Sequence, residues 1–184
     1  MHLTEIFESS FYNPSDVYVH GGPFELNGNE LTRYGKSHQD AGALFFCKNT
    51  KVGLWYASTY SKGKIYFCKI KTPKSKIIDL TNNKCVSFLK NNLSKEEFDY
   101  IWNSRGNSGH IDWATVDDEL FMELGYRGCI FQERPKGLNT GLPEKTGLHI
   151  LPEPVVSIGL FYAKDASILY TKTSEEIKEL LWNS

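Results

Sequence analysis

The chain is poor in cysteine, and what it has is unpaired. Cys47, Cys68, Cys85 and Cys129 are scattered over 184 residues. They form no Cys-x-x-Cys pair and no Cys/His cluster, which argues against zinc and against any metal centre. Three of the four stand in apolar runs, where a free thiol behaves as a small hydrophobe. The expected setting is therefore a reducing cytoplasm, of the producing cell or of a target cell. No run is long enough to cross a bilayer, and the first residues lack a basic stretch followed by an apolar one, so neither a membrane partner nor a cleaved leader is expected. An excess of one charge is missing too. Against 22 acidic side chains stand 21 Lys and Arg, so no bulk attraction to nucleic acid is implied. There is no internal repeat and no Gly-x-x-x-x-Gly-Lys phosphate loop.

What is present is a core. Apolar residues make up 40% of the chain and aromatic ones 14%, enough for one domain over 1–184, with its centre at about 17–162 and a C-terminal helix at 174–182. The basic run 62–76 alternates with Ile65, Phe67 and Ile70 and reads as the solvated face of a strand.

In order along the chain, Leu3, Ile6 and Phe7 mark one helical turn, and Asn13-Pro14-Ser15-Asp16 is turn chemistry. It leads into a strand, Val17-Tyr18-Val19-His20-Gly21-Gly22. Residues 23–40 form a long polar loop with Leu31, Arg33 and Tyr34 as anchors. Residues 41–47 read as a second strand and 51–60 as a helix with Thr50 as its cap. Residues 64–71 alternate as a third strand, which Pro73 breaks and Ile77 to Leu80 resume. Helices are expected at 84–91, at 95–103 after Ser94 with Glu97 at capping-box spacing, and at 112–124 from near Thr115 to Gly125. Strands follow at 125–133 and 147–151, and 155–162 reads as the last strand. A capped helix, 174–182, closes the series. Helices interspersed with strands across long turns give an α+β class.

His20 ends an apolar strand before two glycines, which permit a sharp turn and close approach of a ligand to the peptide plane. The imidazole there can donate to a ligand hydroxyl through one nitrogen while the backbone holds the other. On the following helix Tyr56 and Tyr60 share a face four residues apart and offer rings for stacking on a flat heteroaromatic group. An aromatic helical face is more often core than ligand platform. Glu133 sits at the far end of its strand, whereas Asp117, Asp118 and Glu119 are the acidic first turn of a helix.

Taken together, the strand ending in His20-Gly21, the glycine-led strand with Leu44-Phe45-Phe46, the helix with Tyr56 and Tyr60, and Gly125-Tyr126-Arg127-Gly128 leading to Glu133 resemble the ADP-ribosyltransferase superfamily of the His-Tyr-Glu type. The likeness is to its small phage and polyvalent-protein members, including anti-CRISPR ones. It implies a split β-sandwich with flanking helices around an NAD cleft. NAD is then the co-substrate, with no metal. His20 holds a ribose, the Gly21 backbone meets the carboxamide beside Gly22, Tyr56 or Tyr60 stacks on nicotinamide, Phe45 or Phe46 shapes the pocket, and Arg33 or Lys36 meets the pyrophosphate. Glu133 is the expected carboxylate and Glu144 the alternative. The chain departs from the family at Gly22, where a hydroxyl residue is usual, and at 147–151, where the strand that a glutamate normally opens carries no acid. The implied activity is transfer of ADP-ribose to a macromolecular acceptor, a protein rather than a nucleic acid, by a monomer. NAD hydrolysis by a toxin and a catalytically inactive binding module of the same fold are the alternatives.

Overall fold

The computed structural model describes residues 11–22, 43–58, 63–103, 118–134, 136–139, 144, 149–151 and 153–182. The expectations for Leu3, Ile6, Phe7, Arg33, Lys36, Tyr60, Thr115 and the loop 23–40 lie outside them.

Seven strands and five α-helices are described, an α+β arrangement. The order is β1 (Tyr18–Gly22), β2 (Leu44–Phe46), α1 (Thr50–Ser58), β3 (Lys64–Ile70), β4 (Ile77–Asp79), α2 (Asn83–Asn92), α3 (Lys95–Asn103), α4 (Asp118–Glu123), β5 (Gly128–Arg134), β6 (Val155–Leu160), β7 (Ala166–Thr173) and α5 (Ser174–Trp182). One sheet runs β1-β3-β7 and the other β2-β6-β5-β4. Every pairing is antiparallel except β4 with β5. The sheets meet where Val19 bridges Cys47, the two residues exchanging backbone hydrogen bonds of 2.8 and 3.0 Å.

Strand alternation sorts the apolar side chains into three clusters. Tyr18, Tyr66, Cys68 and Ile70 of the first sheet pack on Phe46, Ile130 and Ile158 of the second. Phe131, Cys129 and Ile78 turn to the other face of the second sheet, where Cys85, Leu89, Phe98 and Phe121 of α2, α3 and α4 cover them. Val19, Ile65 and Phe67 turn outward from the first sheet, under Val52, Leu54 and Ala57 of α1 and Ile177 of α5. Helix α1 comes unusually close to β1. A Cβ on Gly21 would stand 2.0 Å from the Gly53 carbonyl oxygen and 2.9 Å from the Ala57 nitrogen.

The local signals hold at several termini. Ser94 Oγ accepts from Glu97 N at 3.2 Å while Glu97 Oε2 accepts from Ser94 N at 2.8 Å, the expected reciprocal cap. Gly125, at φ 83°, closes α4 as anticipated. Four expectations are corrected. Asn49 rather than Thr50 caps α1, its Oδ1 accepting from Lys51 N at 2.9 Å. Residues 77–79 do not resume β3 but cross to the other sheet beside β5. Residues 155–160 are not the last strand, because β7 follows and pairs with β3. The described part of 147–151 holds only an isolated bridge between Asn139 and Ile150.

One part-buried ion pair ties the two sheets at a corner. Arg127, just before β5, donates from Nε to Asp165 Oδ2 at 2.7 Å and from its terminal nitrogen to Oδ1 at 2.5 Å. Thr72, past the end of β3, donates to the same carboxylate at 3.0 Å. Two parallel bonds to one carboxylate are the strong form of this pair.

Candidate functional site

His20 stands on β1 opposite Tyr66, on the face that looks between the sheets. Its ring lies 5.6 Å from that of Phe46 and 6.0 Å from that of Tyr66. Nδ1 is 2.7 Å from the carbonyl oxygen of Phe45 across the seam. A carbonyl accepts only, so Nδ1 carries the proton. Burial pushes the imidazole pKa down from 6.5, outweighing the opposite pull of the Phe45 carbonyl, and so favours the neutral ring. Nε2 then carries a lone pair and is an acceptor. The expectation that His20 donates to a ligand is corrected accordingly: the ligand group must donate.

Gly21 and Gly22 do different work from each other. Gly21 admits α1, as described above. Gly22 lies on the His20 side, where a Cβ would be 2.9 Å from His20 Nε2. Phe46 is in the core between the sheets, whereas Phe45 faces the opposite way, edge-on to Phe131 at 6.0 Å between ring centroids. His20, Gly22, Phe45 and Phe46 are thus gathered at the seam.

Tyr56 is not on the His20 side. It is half-buried on α1, against the cluster on the outward face of β1, with its ring 4.7 Å from that of Trp55. Val52 stands one helical turn earlier on the same face. Val52 lines a cavity of about 480 Å³ at the end of β2 and the start of β6, a volume usual for small-molecule sites. Phe11, Cys47, Lys48, Asn49, Gln132 and Glu153 also line it; His20 and Tyr56 do not.

Of the two expected carboxylates, Glu133 occupies the irregular position of β5 between Gln132 and Arg134, where the pairing with β6 slips. Its Oε2 accepts from Ser157 Oγ at 2.8 Å. Its charge reaches Cys47, whose thiol is pushed up to about 12 by burial first and by this carboxylate second. Glu144 is exposed and lines no part of the cavity. The carboxylate that does is Glu153, which sequence reasoning passed over. Asn49 holds it, with Nδ2 donating to Glu153 Oε1 at 3.0 Å. Asn49 also caps α1, so its amide is engaged at both ends, and Glu153, itself exposed, is held through one oxygen. The signal was legible: Glu153-Pro154-Val155-Val156 places an acid at the mouth of an apolar strand. The flanking prolines made the segment look like a closing turn.

The two polar ends of the site are separate. Phe45, whose carbonyl holds His20, is in β2, whereas Asn49, which holds Glu153, lies beyond a bend at Lys48. Comparison of the chain with protein-family profiles, curated proteins and solved structures returns no match.

Proposed function

We propose that this chain is an ADP-ribosyltransferase that cleaves NAD at the nicotinamide–ribose bond and passes ADP-ribose to a protein acceptor. The observation that carries the reading is the held imidazole: His20, tied through Nδ1 to the Phe45 carbonyl, stands at the seam beside Gly22, in the place the resemblance gives to the ribose-binding histidine. The two separate sheets, of three and four strands, are compatible with the split β-sandwich that the sequence resemblance implies.

In this reading His20 Nε2 accepts from a ribose hydroxyl and orients the substrate. Glu153 is assigned the place of the catalytic carboxylate, with Glu133, on the adjacent strand, as its rival. When the bond to nicotinamide breaks, the pair of electrons leaves with the neutral ring and the ribose becomes cation-like. A carboxylate under it stabilises the charge as it forms, and stronger binding of that state than of the substrate is what accelerates the step. The acceptor nucleophile then forms the new bond at the same carbon and gives up its proton to the carboxylate. Val52 gives the cavity an apolar wall at α1.

The test is nicotinamide release from NAD by the purified chain, alone and with cell lysate, for wild type, His20→Ala, Glu153→Gln, Glu133→Gln and Glu144→Gln. Release that rises with lysate and falls at least a hundredfold in Glu153→Gln supports the assignment. A loss confined to Glu133→Gln moves the catalytic role one strand over. Equal release with and without lysate identifies hydrolysis instead of transfer, and no release under any condition overturns the enzymatic reading.

A further inference from the structure

The basic run that the sequence presents as the solvated face of a strand outlasts the strand. β3 ends at Ile70, and Lys71, Lys74 and Lys76 lie beyond it, the last two in a 3₁₀ turn. Backbone hydrogen bonds fasten this segment to two others. Lys71 N donates to the Asp165 carbonyl at 2.8 Å, Arg127 N to the Lys76 carbonyl at 2.7 Å, and Phe161 N to the Arg127 carbonyl at 3.0 Å. The Arg127 guanidinium lies over the Tyr162 ring at 4.7 Å, and Lys164 Nζ lies over the same ring at 5.7 Å. Five cations from three separate stretches of chain therefore meet at one corner. Lys71, Lys76 and Lys164 are exposed there and Lys74 is half-buried. The acid inside the corner, Asp165, is spent on Arg127 and Thr72. Counting also Glu123, at the end of α4, the described residues set five cations against two acids, a local surplus of three on a chain whose net charge is -1.

We propose that this corner docks the phosphodiester backbone of a nucleic acid. Two features choose that partner over an acidic protein. Arg127, the side chain suited to gripping a carboxylate through two parallel bonds, is already engaged in that way by Asp165. What remains is four ammonium groups on long stems, point charges that suit phosphates met one at a time. Lysine is also depleted from protein–protein interfaces. The Tyr162 ring is taken up by Arg127 and Lys164 rather than offered to a base, so the contact fixes a backbone and reads no sequence. Gly22 pairs with Lys64 at the opposite end of β3, and docking at the corner does not depend on the proposed function.

The experiment is fluorescence anisotropy of a labelled single-stranded DNA of about 20 nucleotides and mixed sequence, titrated with the purified chain at several salt concentrations. Four ammonium contacts predict a log–log slope of affinity against salt of about −2.8, a loss of about fiftyfold between 50 and 200 mM. Lys71→Gln/Lys76→Gln/Lys164→Gln should bring the slope to about −0.7 and weaken binding at the lower salt at least tenfold. Lys84→Gln/Lys90→Gln/Lys95→Gln takes the same charge from exposed lysines of α2 and α3 and should bind within about threefold of wild type. No binding by wild type at the lower salt overturns the proposal, as does an equal loss in both triple variants, which would mean that net charge acts without a site. Tighter binding of a poly-glutamate peptide of equal charge also overturns it and assigns the corner to an acidic protein. Lysine acetylation read by mass spectrometry tests the unsubstituted chain, so the result does not hang on how a variant folds. Bound DNA should slow labelling of Lys71, Lys76 and Lys164 at least tenfold and leave Lys84, Lys90 and Lys95 unchanged; equal protection of the two sets, or none at the corner, refutes the assignment.

Discussion

Replacing Gly21 by alanine separates a ligand-contact role for this glycine from a packing role. A methyl group there meets two backbone atoms of α1, the Gly53 oxygen at 2.0 Å and the Ala57 nitrogen at 2.9 Å. Neither belongs to a side chain that can rotate aside. To restore an ordinary contact near 3.4 Å, the helix must withdraw from β1 by about 1.4 Å. That loosens Val52, Leu54 and Ala57 from Val19 and Ile65, all of them in one cluster. Overpacking of a closed core costs about 1–3 kcal/mol, and a clash with two backbone groups of α1 sets the expectation at about 3 kcal/mol. For a chain of this length each kcal/mol moves the melting temperature by about 2–4 °C, so calorimetry should show a drop of about 6–12 °C. Gly63→Ala, whose Cβ would lie within bonding range of the Ala57 backbone, should fall in the same range. A Gly21→Ala protein melting within about 2 °C of wild type would falsify the packing argument and return the residue to a purely ligand-facing role.

Four further outcomes are expected. Asp165→Ala should cost about 2–4 kcal/mol in urea unfolding, because it strands the Thr72 hydroxyl and a guanidinium that is 35% exposed and so partly rehydrates; a loss under 0.5 kcal/mol would contradict the corner's structural role. Ser94→Ala removes the α3 cap and should cost about 1 kcal/mol, read by the same unfolding curve, and no change would mean the terminus finds water instead. His20 titrates below 6.5 when folded, so between that lower value and 6.5 the unfolded chain holds a proton that the folded chain lacks; stability should fall as pH drops through this window, and His20→Gln should flatten that part of the pH profile. All four thiols are buried, and Cys47 and Cys68 are each pushed up to about 12; a thiol reagent at neutral pH should label none in the native protein and all four in denaturant, and rapid native labelling of Cys47 would show the cavity to be open to it.

The parts of the fold readable from sequence were those decided within a few residues. Helix α3 announced itself through Ser94 and Glu97, and its observed bounds, Lys95–Asn103, match the expectation. Helix α5 did the same at Ser174–Trp182, where Thr173 and Glu176 form a second reciprocal cap. Strand β7 escaped notice because Ala166–Thr173 is an edge strand with Leu169 and Tyr170 each 49% exposed. A slip in its pairing opposite Phe67 and Cys68 breaks the two-residue period besides. Which sheet β4 joins was not legible at all, since Ile77 and Ile78 would satisfy either. At the site, His20 was found because strand, histidine and glycines are contiguous. Its role as acceptor was not, because that depends on the carbonyl of Phe45, twenty-five residues away. Glu153 depends likewise on Asn49.

The long-range pairing of the two sheets sets when the protein can exist as it is made. Leu44 of β2 waits for Leu160 of β6, and Lys64 of β3 for Thr173 of β7. Until the last third of the chain is synthesised, β2 lacks its sheet neighbour and β1 with β3 is a two-stranded pair carrying His20 on its edge. At about 5–20 residues per second, the interval from β2 to β6 lasts about 6–25 s, far longer than local structure needs to form. Fold closure is therefore timed by the ribosome rather than by local structure, and ribosome-bound fragments ending before residue 155 should remain protease-sensitive throughout, with resistance appearing in one step once β6 and β7 have both emerged.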